Sequence, residues 1–202
     1  FHNPSSFYSS AGESSYAIDL ARERVAKLIN ADPGEIYFTA GGTEADNMAI
    51  QGTVFKLRNK GKHIISTSIE HPAVLKTCRF LGKKDYEITL LHVDQKGRVN
   101  LDELKKSIRE DTVLISVMHA NNEIGTIQPI KELAAFANEK GIYFHTDAVQ
   151  TVGKIPVDVK ELGVDMMSFS SHKIYGPKGI GVLYKKKGVT ISPLLIGGGH
   201  EN

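Results

Sequence analysis

A lysine at position 173 lies in a sequence context that is unusual for a surface lysine. An apolar run at residues 164–169 and the segment Ser170-Ser171-His172 precede it, and a turn containing Gly176 and Pro177 follows. Most lysines are solvated surface charges, which is the ordinary interpretation. This context instead predicts a buried amine. An amine held away from water gives up its proton more easily and can attack a carbonyl to form a Schiff base.

An aspartate, Asp147, directly follows another strand-like run at residues 142–146. Because it stands at the end of a strand, it also has an ordinary interpretation as a helix cap. The cofactor that uses a lysine amine together with an aspartate is pyridoxal 5'-phosphate, whose pyridine nitrogen is kept protonated by the carboxylate. Lys173 and Asp147 therefore lead to the hypothesis of a pyridoxal-phosphate site.

Predicted strands and helices alternate along the chain after a loop at residues 3–12. Helices are predicted from residue 14, from residue 45, from residue 71, at 101–108 and at 130–138. Strands are predicted at residues 35–39, 63–67, 88–93, 113–118, 142–146, 165–169 and 180–184. This alternation specifies one α/β domain, with three α/β/α layers around a mainly parallel, mixed sheet. The last two strands are joined too tightly for a helical crossover and are expected to be antiparallel.

Polar and glycine residues follow the carboxyl ends of most of these strands. In open α/β sheets, ligands collect at this edge. The groups expected there are Gly41-Gly42-Thr43, His71, Asn121-Asn122-Glu123, Asp147 with Gln150, and Ser170 with His172 and Lys173. We therefore expect these groups to converge on one site.

The turn Gly41-Gly42-Thr43 is a candidate phosphate site because it leads into a helix. Backbone N–H groups and the positive end of the helix dipole can hold a phosphate, and the Thr43 hydroxyl adds a donor. Ser170 and His172 are candidates for the same phosphate. Ordinary helix starts have a similar sequence, so the turn alone does not establish such a site. It lacks the nucleotide P-loop and the three-glycine dinucleotide fingerprint, which disfavours ATP and NAD.

Three further polar residues have both a catalytic and a structural interpretation. His71 can lie over the cofactor ring and act as an acid or base, or can be a satisfied side chain at a helix start. Gln150 can donate to the phenolic oxygen of the ring. Asn122 can donate to that oxygen or to a substrate carboxylate, but an Asn-Asn pair is more often only a turn. The remaining histidines lack metal-site spacing and are predicted to be structural: His2, His63, His92, His119 and His145.

The composition limits the location and the partners of the protein. The 202 residues carry 25 Lys+Arg and 23 Asp+Glu, so the overall charge predicts no binding to nucleic acid or to an anionic membrane. A single cysteine, Cys78, fits a reducing compartment. No apolar stretch approaches membrane-spanning length, and residues 1–4 lack the basic and apolar blocks of a signal peptide. We therefore expect a cytoplasmic protein.

Five segments of the sequence carry a family likeness. They are Glu70-His71-Pro72-Ala73-Val74, Met118-His119-Ala120-Asn121-Asn122-Glu123-Ile124-Gly125, His145-Thr146-Asp147-Ala148-Val149-Gln150, Ser168-Phe169-Ser170-Ser171-His172-Lys173-Ile174-Tyr175-Gly176-Pro177-Lys178-Gly179 and Gly197-Gly198-Gly199-His200-Glu201. Together they resemble the cysteine desulfurases of iron–sulfur cluster assembly. These are pyridoxal-phosphate enzymes related to the class V aminotransferases, with the fold of aspartate aminotransferase (PLP fold type I). The resemblance implies that residues 1–202 are the cofactor-binding large domain.

The resemblance assigns a role to each candidate residue. It implies that Lys173 holds the cofactor as a Schiff base and then moves the substrate α-proton. It implies that Asp147 pairs with the pyridinium nitrogen and that His71 stacks on the ring as a second catalytic residue. The remaining implied contacts are Gln150 and Asn122 at the phenolic oxygen, and Gly42, Thr43, Ser170 and His172 at the phosphate.

The family reaction takes sulfur from L-cysteine and leaves L-alanine. A cysteine thiolate on a mobile loop accepts the sulfur as a persulfide, and a scaffold or other acceptor protein then receives it. The resemblance further implies a homodimer.

The sequence departs from the family pattern in its sulfur-accepting half. In the family, the nucleophilic cysteine, a substrate-binding arginine and a small C-terminal domain come after the Gly-Gly-Gly-His-Glu segment, and the first strand comes before Asn3. Cys78 does not stand at the nucleophile's place and is expected to be a packing residue. We therefore expect both flanking parts to be missing here. Two alternatives stay open: a catalytically silent, truncated cofactor-binding or dimerisation module, and a relative that resembles selenocysteine lyase.

Overall fold

A seven-stranded sheet is the centre of the molecule in the computed structural model, which describes residues 3–4 and 9–197. The strand order is β1-β7-β6-β5-β4-β2-β3. The strands are β1 Ile36–Thr39, β2 His63–Thr67, β3 Glu87–Leu91, β4 Thr112–Ser116, β5 Tyr143–Asp147, β6 Met166–Ser170 and β7 Gly181–Lys185. All seven predicted strands are present, with ends shifted by at most two residues. His2, residues 5–8 of the predicted loop and residues 198–202 of the last family segment lie outside the described residues.

The described residues include six α-helices, of which α1 precedes β1 and the other five connect strands. They are α1 Ser9–Leu28, α2 Gly42–Lys56, α3 Pro72–Gly82, α4 Leu101–Ser107, α5 Ile130–Glu139 and α6 Val159–Leu162. Two details differ from the sequence-based expectation. Helix α1 begins at Ser9, inside the predicted loop, although serine and glycine are weaker helix formers than alanine or leucine. Helix α6 was not predicted; it is a single turn that the Asp158 side chain caps by accepting from two backbone N–H groups.

The sheet is mixed, as predicted. Strands β2 to β6 pair in parallel, whereas β7 is antiparallel to both of its neighbours, β6 and β1. The expected antiparallel pairing of the last two strands is therefore confirmed. Because β7 is antiparallel to both of these neighbours, β1 points the same way as β6. The carboxyl ends of β1, β2, β4, β5 and β6 consequently lie at one edge of the sheet.

Two apolar layers cover the two faces of the sheet. On one face, α2 and α3 pack through residues such as Ala49 and Val74 against Met166 and Leu183. On the other face, α1, α4, α5 and α6 pack against strand residues that include Phe144. Every residue of β2, β4 and β6 is buried, as expected for strands covered on both sides. The predicted three-layer α/β/α arrangement is confirmed.

Hydropathy gives one further result for the helices. None of those in the part of the chain that the structure describes combines the length and the apolar character needed to span a bilayer.

Candidate active site

A cavity of about 910 Å³ opens at the carboxyl edge of the sheet. All nine residues predicted for the cofactor and catalytic site line it. They are Gly42, Thr43, His71, Asn122, Asp147, Gln150, Ser170, His172 and Lys173. These residues come from five separate segments of the chain, and the parallel strands bring them together because each segment follows a strand that ends at this edge.

Lys173 ends a short 3-10 helix, Ser171–Lys173, that directly follows β6. The lysine is exposed, so the prediction of a buried amine is wrong. The physical reason is that the pairing of β6 with β7 ends at Ser170 and Gly181, so the lysine stands beyond the rim of the sheet. From there it lines the cavity together with Asp147. An amine in this position is accessible to a carbonyl compound that enters the cavity.

Asp147 is the last residue of β5 and is 5% exposed. Its Oδ1 atom accepts a hydrogen bond from the backbone N–H of Val149 at 2.9 Å, so the carboxyl also makes the local turn contact of the ordinary interpretation. Burial raises the pKa of this carboxyl, while the Val149 N–H and the nearby His71 act to lower it. A cation beside Asp147 would favour its ionised form, because an opposite charge offsets the cost of burial.

The first turn of α2 faces the cavity through Gly42 and Thr43. The helix begins after Gly41 without a side-chain cap, so its first backbone N–H groups are available to an anion. At the end of β6, the buried Ser170 hydroxyl lies 2.7 Å from Nδ1 of His172. We call Gly42, Thr43, Ser170 and His172 the anion cradle. Its donors come from two separate elements and meet at one end of the cavity.

Close packing of glycines shapes the anion cradle. A β-carbon added at Gly42 would lie 3.0 Å from Cγ2 of Val149 and 3.5 Å from the Ser170 β-carbon. At Gly181, the first residue of β7, an added β-carbon would lie 2.3 Å from the carbonyl carbon of Gly41. The second distance is much shorter than any real contact, so only glycine lets β7 approach the turn that starts α2.

Replacing Gly181 by alanine is therefore expected to displace the Gly41 turn. We expect a loss of about 1–3 kcal/mol in the free energy of unfolding, as for other overpacked sites, together with weaker anion binding in the cradle. Urea unfolding and a phosphate titration of the same variant measure both effects. Gly34→Ala is the matched control, since no atom lies within 4 Å of a β-carbon added there. Equal stability of the two variants would contradict the close-packing argument.

His71 is the N-cap residue of α3, and its Nδ1 atom accepts a hydrogen bond from the Ala73 backbone N–H at 3.2 Å. The ordinary interpretation, a polar side chain satisfied at a helix start, therefore holds for one ring nitrogen. The same bond fixes the neutral ring as the tautomer that carries its hydrogen on Nε2. Since His71 also lines the cavity, a single imidazole serves both the helix and the site.

Gln150 and Asn122 have neighbours that orient their amides. The Gln150 Oε1 atom accepts from the Lys154 ammonium at 2.8 Å, which leaves the two N–H donors of Gln150 for other partners. Asn122 uses an N–H donor differently, because its Nδ2 atom donates to Glu123 Oε1 at 2.7 Å. Gln150 is therefore the better oriented donor of the two, and Asn122 keeps one N–H.

Three of the histidines predicted to be structural are buried and bonded to hydroxyl groups. The pairs are His63 with Thr112 and Thr89, His119 with Thr151, and His145 with Ser116 and Ser168. Burial lowers the pKa of all three rings, and that of His145 to about 3. Across the described ranges, no group of three or more His, Cys, Asp or Glu side chains is placed to hold a metal ion.

Sequence reasoning missed two buried acids near the cavity, Asp46 and Glu70. Asp46 lines the cavity from α2 and is 1% exposed. Glu70 accepts hydrogen bonds from the Thr67 hydroxyl and from the Met118 backbone N–H, and burial raises its pKa to about 8. For Asp46 a signal was available, because it interrupts the apolar face that Ala45 and Ala49 define at helical spacing. Glu70 has no comparable signal in the sequence.

The chain belongs to the aminotransferase class-V family, whose sequence model matches residues 2–202. Two curated relatives carry a more specific name than the family does. Cysteine desulfurase IscS of Dictyoglomus turgidum is 60% identical over 202 residues, which are 100% of this chain and 51% of that protein. Cysteine desulfurase IscS of Methanosarcina thermophila is 57% identical over 201 residues, with 100% of this chain and 50% of that protein covered. The chain thus spans about half the length of the curated relatives it matches.

Solved structures have the same fold. A structure named SspA in complex with cysteine matches with a TM-score of 0.96 and 43% identity, covering 100% of this chain and 58% of that chain. A NifS-like protein matches with a TM-score of 0.96 and 44% identity, covering 99% of this chain and 55% of that chain. The resemblance to cysteine desulfurases and the predicted fold are therefore both confirmed.

Proposed function

We propose that residues 1–202 form the pyridoxal-phosphate-binding large domain of a cytoplasmic, homodimeric cysteine desulfurase. One observation carries the proposal: a lysine amine, a buried carboxyl and an anion cradle line a single cavity. The likeness to two IscS cysteine desulfurases supports the reaction class. The likeness to a protein solved in complex with cysteine supports L-cysteine as the substrate.

The side chains of the cavity fit the chemical groups of pyridoxal phosphate. The anion cradle offers helix N–H groups and hydroxyls to the phosphate. Asp147 offers a carboxylate to the ring nitrogen, and Lys173 offers an amine to the aldehyde. The close contact at Gly42 leaves the helix backbone, rather than a side chain, at the floor of the cradle. When bound, pyridoxal phosphate supplies an electron sink for negative charge that develops on the substrate.

In this proposal Lys173 and His71 are the catalytic residues. The Lys173 amine accepts the proton of the substrate α-carbon, because it reaches the cavity from the rim of the sheet. His71 covers the ring face and uses Nε2, since Nδ1 is occupied by Ala73. We assign Nε2 as the ring nitrogen that exchanges a proton with the cofactor or the substrate.

The polar rim orients the cofactor and the substrate. We assign Asp147 to the ring nitrogen and Gln150 to the phenolic oxygen, to which it turns its N–H donors because Lys154 holds its carbonyl. Asn122 donates its remaining N–H to the same oxygen or to the substrate carboxylate. These contacts bind and orient, whereas Lys173 and His71 move protons.

The sulfur acceptor is not Cys78, the one cysteine among the 202 residues. Cys78 is a residue of α3, and its side chain is 1% exposed in the apolar layer between α2, α3 and the sheet. Burial raises the pKa of its thiol to about 12. A buried thiol that stays protonated is a poor nucleophile. We infer that a thiol outside these residues takes the sulfur from L-cysteine and passes it to an iron–sulfur scaffold or another acceptor protein.

A cofactor titration followed by an activity assay tests the proposal. Adding pyridoxal phosphate to the protein expressed from its natural gene is expected to produce the visible absorbance of a lysine-bound cofactor. Lys173→Ala is expected to lose this absorbance, because no other residue in the proposal supplies the amine. Release of sulfide and alanine from L-cysteine then tests the reaction.

The outcomes separate the alternatives. Visible absorbance without sulfide release would favour a catalytically silent cofactor-binding module. Turnover of selenocysteine without turnover of cysteine would favour a relative of selenocysteine lyase. Visible absorbance that persists in Lys173→Ala would contradict the assigned role of the lysine.

A further inference from the structure

A row of buried polar side chains crosses the α2-facing side of the sheet beneath the cavity. Ser116 of β4 lies in register with His145 of β5, and its hydroxyl is 2.9 Å from His145 Nδ1. Nε2 of the same ring is 2.9 Å from the hydroxyl of Ser168 in β6. All three residues are 0% exposed. We call Ser116, His145 and Ser168 the polar row.

The polar row ends beside residues of the proposed cofactor site. Ser168 lies in register with Asp147 on the neighbouring strand. It is also two residues before Ser170, and side chains two positions apart in a strand point to the same face. His145 likewise precedes Asp147 by two residues. The polar row therefore lies two residues before the Asp147 carboxylate along β5 and two residues before the Ser170 hydroxyl of the anion cradle along β6.

Asp46 joins the polar row to helix α2. Its side chain hydrogen-bonds the Ser168 hydroxyl, and its Oδ1 atom is 3.7 Å from Nε2 of His145. Oδ1 has no hydrogen-bond partner among the described residues, although the side chain is buried. Asp46 follows Gly42 by four residues, which is one helical turn. It therefore connects the turn that carries the anion cradle with the two strands that carry Asp147 and Ser170.

The surroundings of Asp46 favour the neutral form of its carboxyl. Burial raises the pKa of Asp46 well above its usual range, and the nearby Asp147 and Glu70 raise it further, while the hydrogen bond with Ser168 acts to lower it. The facing ring of His145 is neutral as well, because burial lowers its pKa to about 3. A neutral carboxyl carries a hydrogen and can donate it. The acceptor within reach is the Ser168 hydroxyl oxygen.

We propose that Asp46 is a positioning residue, which donates through Ser168 into the polar row and so fixes the spacing between the anion cradle and Asp147. This inference rests on the proposed function, in which the cofactor contacts both ends of that spacing. Asp46 donates to Ser168, Ser168 donates to Nε2 of His145, and Nδ1–H of His145 donates to Ser116. The order of donors assigns the Nδ1–H tautomer to His145.

The tautomer of His145 tests the order of donors without any cofactor. Nitrogen-15 chemical shifts of the histidine rings are expected to report the Nδ1–H form in the wild-type protein. Asp46→Asn is expected to keep it, because an amide still donates to Ser168. Asp46→Leu, and Ser168→Ala if the leucine variant does not fold, are expected to lose it. An Nε2–H form in the wild-type protein would overturn the proposal.

Pyridoxal phosphate and inorganic phosphate together test the spacing between the anion cradle and Asp147. Asp46→Leu is expected to bind pyridoxal phosphate about tenfold more weakly than wild type, since one hydrogen bond that holds α2 to the strands is lost. Inorganic phosphate contacts only the anion cradle, so its affinity is expected to stay within about threefold. Asp46→Asn is expected to restore the affinity for pyridoxal phosphate to within about threefold.

The results distinguish this inference from the proposed function. An Asp46→Leu variant that binds pyridoxal phosphate as wild type does, or that loses both ligands equally, would overturn the positioning role alone. A wild-type protein that binds phosphate but no pyridoxal phosphate would overturn the proposed function and the positioning role together.

Discussion

Replacing Asp147 by asparagine is expected to slow sulfide release from L-cysteine by about a thousandfold, in the range found when a preorganised polar group is removed from an active site. Asparagine keeps an oxygen for the Val149 N–H and occupies nearly the same volume, so β5 ends as before. What it removes is the negative charge. The cavity then no longer favours a protonated ring nitrogen, and the electron sink weakens. The turnover number of the loaded enzyme measures this loss.

A matched variant separates this effect from a general loss of charge. Asp19 is exposed on α1, and Asp19→Asn is expected to leave the turnover number unchanged. Lysine-bound cofactor is expected to form in both variants, because the anion cradle and Lys173 are intact. A turnover number for Asp147→Asn within a few-fold of wild type would argue against the assigned role of this carboxylate.

Replacing Glu70 by glutamine is expected to stabilise the protein at alkaline pH. Burial raises the pKa of Glu70 to about 8 from an ordinary value of 4.5, so the folded state holds a proton that the unfolded state releases. The associated stability is fully present below about pH 4.5 and is lost as the pH rises through about 8, at about 1.4 kcal/mol per pH unit. Glutamine cannot ionise, and its oxygen can still accept from Thr67 and Met118.

Denaturant unfolding at two pH values measures this difference. Near pH 5 the two proteins are expected to agree within about 1 kcal/mol, and near pH 9 the variant is expected to be more stable by on the order of 4 kcal/mol. The low pKa of His145 destabilises both proteins at acidic pH and cancels in the comparison. Glu110→Gln removes an exposed charge and is the control. A difference that does not grow with pH would contradict a protonated Glu70.

The layout of the site could be predicted from the sequence because it depends on topology. Residues that follow parallel strands meet at one edge whatever their side chains do. Gly42, His71 and Lys173 follow strands that end at this edge, Asp147 is the last residue of β5, and all four line the cavity. The antiparallel β7 could be predicted for a similar reason, since the short connection from β6 leaves no room for a crossover helix.

The environment of individual side chains could not be predicted in the same way. Lys173 is exposed because the sheet pairing ends before it, and strand-like sequence does not show where pairing stops. Asp46 and Glu70 are buried because other elements cover them, although acids are seldom buried. Their hydrogen bonds reach Ser168 and Met118, which are distant in the sequence. Burial and partners of this kind depend on tertiary packing, which no local pattern reports.

The position of β7 bears on how the protein is made. Within the described residues, β1 reaches the rest of the sheet only through β7, because β1 pairs with β7 and β7 pairs with β6. During synthesis the turn at Gly41 therefore stays without its neighbour Gly181 until residues 42–181 have also been made. Such distant pairing is slow to form. The nascent chain thus completes the anion cradle only after residues 181–185 have been made, so the proposed cofactor binding is expected to follow their translation.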